Sequence, residues 1–124
     1  MENTEILAIY GTNYKEMTKK LLEEGNMAER IPDKEGRIGI KPNLVSPSDP
    51  SWGATTHPEI VAGIIEYLQE QGFRNLVMLE GSWVGDKTAE AAELCGYYHL
   101  SKKYQVEFLD MQKDSYEAYD CEGM

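Results

Sequence analysis

At 124 residues the chain has the length of one domain, and 41% hydrophobic with 27% charged residues is the composition of a folded protein, not a disordered one. Twelve basic residues against 22 acidic ones leave a formal net charge of −10 with no basic stripe, which argues against a phosphate-backbone partner and so against nucleic-acid binding. No apolar run approaches the roughly 20 residues that a bilayer requires, which argues against membrane insertion.

The start, Met1-Glu2-Asn3-Thr4-Glu5, is acidic and leads straight into an apolar run, unlike a secretory signal with its basic beginning. Cys95 and Cys121 supply no disulfide framework and suit a reducing compartment. The expected location is therefore cytoplasmic. Nothing in the sequence sets an oligomeric state.

Residues 5–10, Glu-Ile-Leu-Ala-Ile-Tyr, read as a first strand closed by Gly11. A helix follows over residues 14–24, with Tyr14, Met17, Leu21 and Leu22 on one face and Gly25-Asn26 as its stop. Residues 26–37 are polar and punctuated by Gly and Pro, a connecting loop, and a second strand runs over 37–41. The path from Pro42 to Thr55 is then an irregular loop, far longer than the 2–6 residues usual between strand and helix in α/β units. A connection of that length in a compact domain is normally functional or disordered.

The second helix begins beyond this loop. Thr56 is expected as its N-cap, Glu59 completes a capping box, and Pro58 suits the first turn. Ile60, Val61, Ile64, Ile65 and Leu68 form its apolar stripe, and Gly72 ends it. Residues 75–80 are a third strand, apolar on both faces, as a covered parallel strand is. A third helix starts near 86–88 and is interrupted by Gly96, a shorter helical segment covers 98–104, and a fourth strand covers 106–111. The stretch from Asp110 to Met124 holds five acids against one lysine and reads as a tail that stays poorly ordered unless something packs on it.

The order βαβαβαβ predicts an α/β fold: a Rossmann-like, three-layer α/β/α arrangement with a mainly parallel sheet of about four strands and right-handed crossovers. Residues 1–112 form the single domain in this reading, with 113–124 as the acidic tail. Ligands in open sheets of this kind sit beyond the carboxyl ends of the strands. That edge would collect Tyr10 and Gly11, then Lys41, Pro42 and Asn43, then Glu80, Gly81 and Ser82, then Asp110.

The run Ile40-Lys41-Pro42-Asn43-Leu44-Val45, then Gly53-Ala54-Thr55-Thr56-His57-Pro58-Glu59-Ile60-Val61, then Gly72 and Glu80-Gly81-Ser82, resembles the domain of unknown function 362 family over roughly residues 5–112. The resemblance implies a fold and the place of a site more than a reaction. Members often carry, or are fused to, a ferredoxin-type segment binding 4Fe-4S clusters, and many continue downstream with another Lys- and His-bearing segment. By that comparison the chain is expected to be the N-terminal portion of a longer protein. It would hold no cofactor itself, with a 4Fe-4S cluster possible elsewhere in the parent.

Each candidate has two readings. Lys41 ends a buried strand, where an ammonium needs an anion: a ligand phosphate or carboxylate, or Glu80 on the neighbouring strand. Asn43 either orients a ligand or caps its own loop. His57 has an intrinsic pKa near neutrality and could transfer protons, or it packs in a helix's first turn. Thr55 and Thr56 are explained by capping, although free N–H groups at the helix start could hold an anion beside Lys41. Lys41 and His57 are thus the candidate catalytic groups. Asn43, Thr55, Thr56, Glu80, Gly81 and Ser82 are the candidate ligand-binding residues.

Gly81-Ser82-Trp83-Val84-Gly85-Asp86-Lys87-Thr88 lies between strand and helix but misses the phosphate-loop pattern. Its glycines are one residue too close, and Asp86 would repel the phosphate, so nucleotide hydrolysis here is rejected. No G-x-G-x-x-G follows the first strand, which argues against a dinucleotide site. Cys95 and His99 stand four apart, yet no second pair completes a metal set, so no metal site is expected. Two cysteines cannot supply the four thiolates of an iron–sulfur cluster. Trp52 and Trp83, both in edge loops, could stack on a ligand or form an interface. Two functions remain: an enzyme domain binding a small anionic metabolite, or a non-catalytic docking domain that meets a redox partner domain.

Overall fold

A computed structural model of the chain describes residues 4–121 and 123; of the residues read above, Met1, Glu2 and Asn3 at the start and Glu122 and Met124 in the tail lie outside them. Three strands, β1 (Ile38–Ile40), β2 (Leu76–Glu80) and β3 (Glu107–Asp110), and four α-helices, α1 (Tyr14–Glu24), α2 (Pro58–Glu70), α3 (Thr88–Leu94) and α4 (Tyr97–Tyr104), make up the regular structure of these residues. Short 3₁₀ turns cover Met27–Arg30 and Pro50–Trp52.

The sheet is parallel with β2 in the centre: Ile40 is opposite Met78, and Met78 is opposite Phe108. The expected alternation of strands and helices from β1 onward is therefore present. The expected first strand is not. Residues 5–10 form no ladder, and Ile6 and Tyr10 are 92% and 97% exposed. Strand-forming composition there is not matched by a hydrogen-bonding partner, which a strand requires. The sheet of the described residues thus has three strands, not four.

The core takes strand residues of one parity. Ile40, Leu76 and Met78, with Ile38 and Phe108 packed against them, meet Val61, Ile65 and Leu68 of α2, Ala91 and Ala92 of α3, and Tyr97 and Leu100 of α4. Consecutive right-handed crossovers stepping the same way across a sheet place their helices on one face, which explains the single core.

α1 packs on α2 with no fully buried side chain of its own. The close approach depends on Gly63: a Cβ there would sit 2.7 Å from the Lys15 carbonyl and 2.9 Å from Thr18 Cβ. The rim of this crossing is ionic, with Lys15 and Lys19 both on Glu66 (3.1 and 3.5 Å) and Lys19 on Glu70 (2.8 Å). Tyr104 of α4 donates its hydroxyl to the same Glu66 at 2.6 Å.

The interruption read at Gly96 is confirmed. Cys95 caps α3, Gly96 takes φ 81°, and α4 begins at Tyr97. A left-handed glycine lets the chain turn sharply between two short helices. No helix of the described residues is long and apolar enough to cross a membrane.

Candidate functional site

β1 and β2 end side by side, and the long loop returns between them to start α2. Glu80, the last residue of β2 and 5% exposed, organises this junction. One carboxylate oxygen accepts from the Leu44 N–H (3.1 Å) and from Lys41 Nζ (3.3 Å); the other accepts from the Gly81 N–H (2.9 Å). A carboxylate this buried is tolerable because three donors, one of them cationic, replace its water.

Lys41 itself is more than half exposed, and its ammonium also donates to Asn43 Oδ1 at 3.0 Å. Asn43 in turn exchanges bonds with Thr56: its N–H donates to Thr56 Oγ1 and its carbonyl accepts from the Thr56 N–H, each at 2.9 Å. Leu44 and Thr55 form an isolated antiparallel bridge. The two ends of the loop are thereby zipped together. Lys41, Asn43, Thr56, Glu80 and Gly81 form one connected cluster.

Thr56 does not cap α2. The N-cap is His57, without a side-chain cap bond, and the Thr56 hydroxyl is spent on Asn43 instead. The capping-box expectation is thus corrected by one residue. Tyr97, buried beneath, donates its hydroxyl to the Thr56 carbonyl at 2.7 Å. Burial pushes the Tyr97 phenol far above its ordinary value.

Thr55 faces inward. Its hydroxyl donates to the Ser48 carbonyl (3.1 Å), and Cys95 Sγ reaches the same carbonyl at 3.3 Å. Ser82 is also a strut: Oγ donates to the Leu44 carbonyl at 2.5 Å, and its N–H donates to Thr88 Oγ1 at 2.9 Å. The structure brings Thr55 and Ser82 to the loop as internal fasteners. Lys41 and Asn43 stand on its open side.

His57 lies at the start of α2 with its ring on Tyr14, centroids 4.6 Å apart, and Nδ1 4.0 Å from Glu59. The side chain is about one-third exposed. Asp49, whose carboxyl is held below its usual range chiefly by hydrogen bonds from Ser51, also feels the His57 charge. His57 therefore sits among Tyr14, Asp49 and Glu59. The Thr56 peptide links it to the Lys41 cluster.

The Gly81–Thr88 loop is a tight turn, with the Asp86 N–H on the Trp83 carbonyl and Gly85 at φ 95°. Gln112 closes it, accepting from the Thr88 N–H and donating to the Asp86 carbonyl, each at 2.9 Å. A donor of the helix start is thus occupied by the glutamine amide oxygen. Trp83 and Val84 at its tip are 72% and 94% exposed, and Trp52 across the loop is 78% exposed.

Tyr97, Gln112 and Ser48 were not picked out from the sequence, and Thr88 was read only as the end of the rejected phosphate loop and near a helix start. Tyr97 falls between the Gly96 break and the helical segment read over 98–104, and no local pattern marks Gln112. Cys95 and His99 do not share a helix face, since the Gly96 break falls between them. Among the described residues no group of three or more His, Cys, Asp or Glu gathers as a metal site. A separate cleft of about 370 Å³ opens between α1, α2 and α4, lined by Lys15, Glu59, His99 and Lys103.

The family model described as Domain of unknown function (DUF362) matches residues 38–124, from the first residue of β1 through the tail. The chain belongs to this family. No curated protein and no solved structure matches the chain. Residues before 38, including α1, fall outside the match.

Proposed function

We propose that the carboxyl edge of the sheet in this DUF362 chain binds a small anionic ligand at Lys41 and Asn43, as part of a cytoplasmic enzyme with a Rossmann-like parallel α/β sheet. The observation that carries the reading is the posture of Lys41. An ammonium has three donors, and two of them go to Glu80 and Asn43, which fixes its position and leaves one for a ligand. The buried Glu80 is compensated by backbone donors as well, so it does not consume the whole charge of Lys41. A held but exposed cation beyond strand ends is what ligand sites in open parallel sheets offer.

Asn43 and Thr56 brace the cation, and the start of α2 beside them adds a favourable dipole for negative charge. His57 is the proton-transfer candidate, one peptide from Thr56. Free thiols at Cys95 and Cys121 suit a reducing compartment.

The residues present do not fit an iron–sulfur cluster: Cys95 is buried and bonded to Ser48, and Cys121 is exposed on the tail. A 4Fe-4S centre therefore takes no part in what this site does. Exposed Trp52, Trp83 and Val84 on the same rim favour a second reading, a non-catalytic face docking a redox partner domain.

A thermal-shift panel of phosphate esters, dicarboxylates and neutral sugars tests the first reading. Anions should raise the melting temperature of the native chain and not that of Lys41→Met, because only a ligand bound to the folded state stabilises it. No shift with any anion, or equal shifts in Lys41→Met, contradicts it.

A further inference from the structure

We propose that residues 5–10 are a strap that closes onto the free edge of β1 as a fourth, parallel strand, and that the ladder-free arrangement described above is its open state. This inference stands apart from the anion-site reading. The seat, the segment and the tether are all present.

Among the described residues β1 pairs only with β2, so one of its edges is free. The Ile38 N–H points to β2, donating to the Asn75 carbonyl at 2.9 Å. Alternation along a strand then turns the N–H and C=O of Gly39 towards the free edge, where they invite another strand. Beside this edge runs an apolar groove lined by Leu22, Ile31, Ile38, Ile40, Ile64 and Leu68. It adjoins a second groove, which shares Leu22 and Ile64 and has Ile9 on its wall.

Residues 5–10 already lie in the orientation that pairing needs. Leu7 Cδ1 is 3.5 Å from where a Cβ on Gly25 would stand, at the end of α1, while a Cβ on Gly11 would meet Met17 Sδ at 2.9 Å, near its start. The segment therefore runs antiparallel to α1. The contact between the tilted rings of Tyr14 and His57 places the starts of α1 and α2 together at the carboxyl edge of the sheet, so antiparallel to α1 means parallel to β1. A strand there, followed by α1 on the same face as α2, is a right-handed crossover.

The sequence Glu-Ile-Leu-Ala-Ile-Tyr has strand composition, yet Ile6 and Tyr10 are almost fully exposed in the open state. Only residues 11–13 separate the segment from α1. So short a tether keeps its effective concentration at the groove high, which favours the chain's own segment over that of a second copy.

Amide hydrogen exchange on the full chain, followed residue by residue by NMR, tests this. A closed strap slows exchange of the Gly39 amide about tenfold or more below its unprotected rate. Leu7→Pro or Ala8→Pro, according to which amide faces β1, removes that protection while β2 amides stay slow. A nuclear Overhauser contact between residues 5–10 and Ile38–Ile40 in the unsubstituted chain reports the pairing with no variant at all. Unprotected exchange at Gly39 together with no such contact overturns the proposal. Protection that rises with protein concentration alongside a dimer mass overturns it too, by assigning the strand to a second copy.

Discussion

The Leu44 N–H donates to the Glu80 carboxylate at 3.1 Å, across a sequence separation of 36 residues, and this bond fastens the long loop to the end of the central strand. Leu44 is fully buried and its carbonyl is held as well, by Ser82. A loop of this length stays ordered because its backbone groups are paid for by side chains from β2 and the turn after it.

Replacing Glu80 should therefore cost more than replacing its cationic partner. Glu80→Ala strands two backbone donors and Lys41, and is expected to lose about 3 kcal/mol in urea unfolding. Lys41→Met removes an exposed partner and should cost about 1 kcal/mol or less. Equal losses would show that the ion pair, not the backbone bonds, holds the junction.

His57 separates packing from chemistry. Its ring lies on Tyr14, so His57→Ala should cost about 1 kcal/mol in thermal or urea unfolding, whereas His57→Phe, which restores a ring, should unfold like the parent. If His57 transfers protons, both variants lose turnover alike once a substrate is in hand. Retained turnover in His57→Phe would leave it a packing residue.

Gly63→Ala is expected to destabilise the chain by about 2 kcal/mol, because the new methyl meets the Lys15 carbonyl and a helix backbone cannot step aside. Gly53→Ala is the useful contrast, since nothing lies within 4 Å of its added carbon. There the cost comes from φ 86° alone. Equilibrium unfolding of the two variants gives the comparison directly.

The Glu66–Tyr104 bond predicts two pH limits. Glu66 is held below its usual carboxyl value, first by the Tyr104 hydroxyl and then by Lys15. Its stabilisation is present above the unfolded carboxyl pKa and is lost as pH falls through the lowered folded value. Burial first, and then Glu66, push Tyr104 up to about 12. That contribution is complete below pH 10 and is lost as pH rises towards about 12, since the unfolded phenol ionises first. Stability against pH for Tyr104→Phe should flatten the alkaline fall and shrink the acid one.

Much of the fold was legible because local signals agreed with tertiary ones. The α2 stripe ending before Gly72, the unbroken apolar run of β2 and the Gly96 break each name their own structure. Residues 5–10 show the limit: composition fixes what a strand wants, and pairing decides whether it gets it. Thr56 shows another, since a hydroxyl two residues before Pro58 can cap or can cross to Asn43, and only the folded loop chooses. The cluster of Lys41, Asn43 and Glu80 followed from the rule that ligands gather at strand ends. The fasteners Tyr97 and Gln112 did not, because they act over distances of 41 and 24 residues with no local pattern.

The central claim, that Lys41 and Asn43 form an anion seat, is tested most directly by an NMR titration of the full chain with inorganic phosphate and with oxalate. Saturable shifts should be confined to the amides of Lys41, Asn43, Leu44, the first turn of α2 and Gly81, and should vanish in Lys41→Met. Shifts that grow without saturation, spread over the surface lysines, or persist unchanged in Lys41→Met would contradict it.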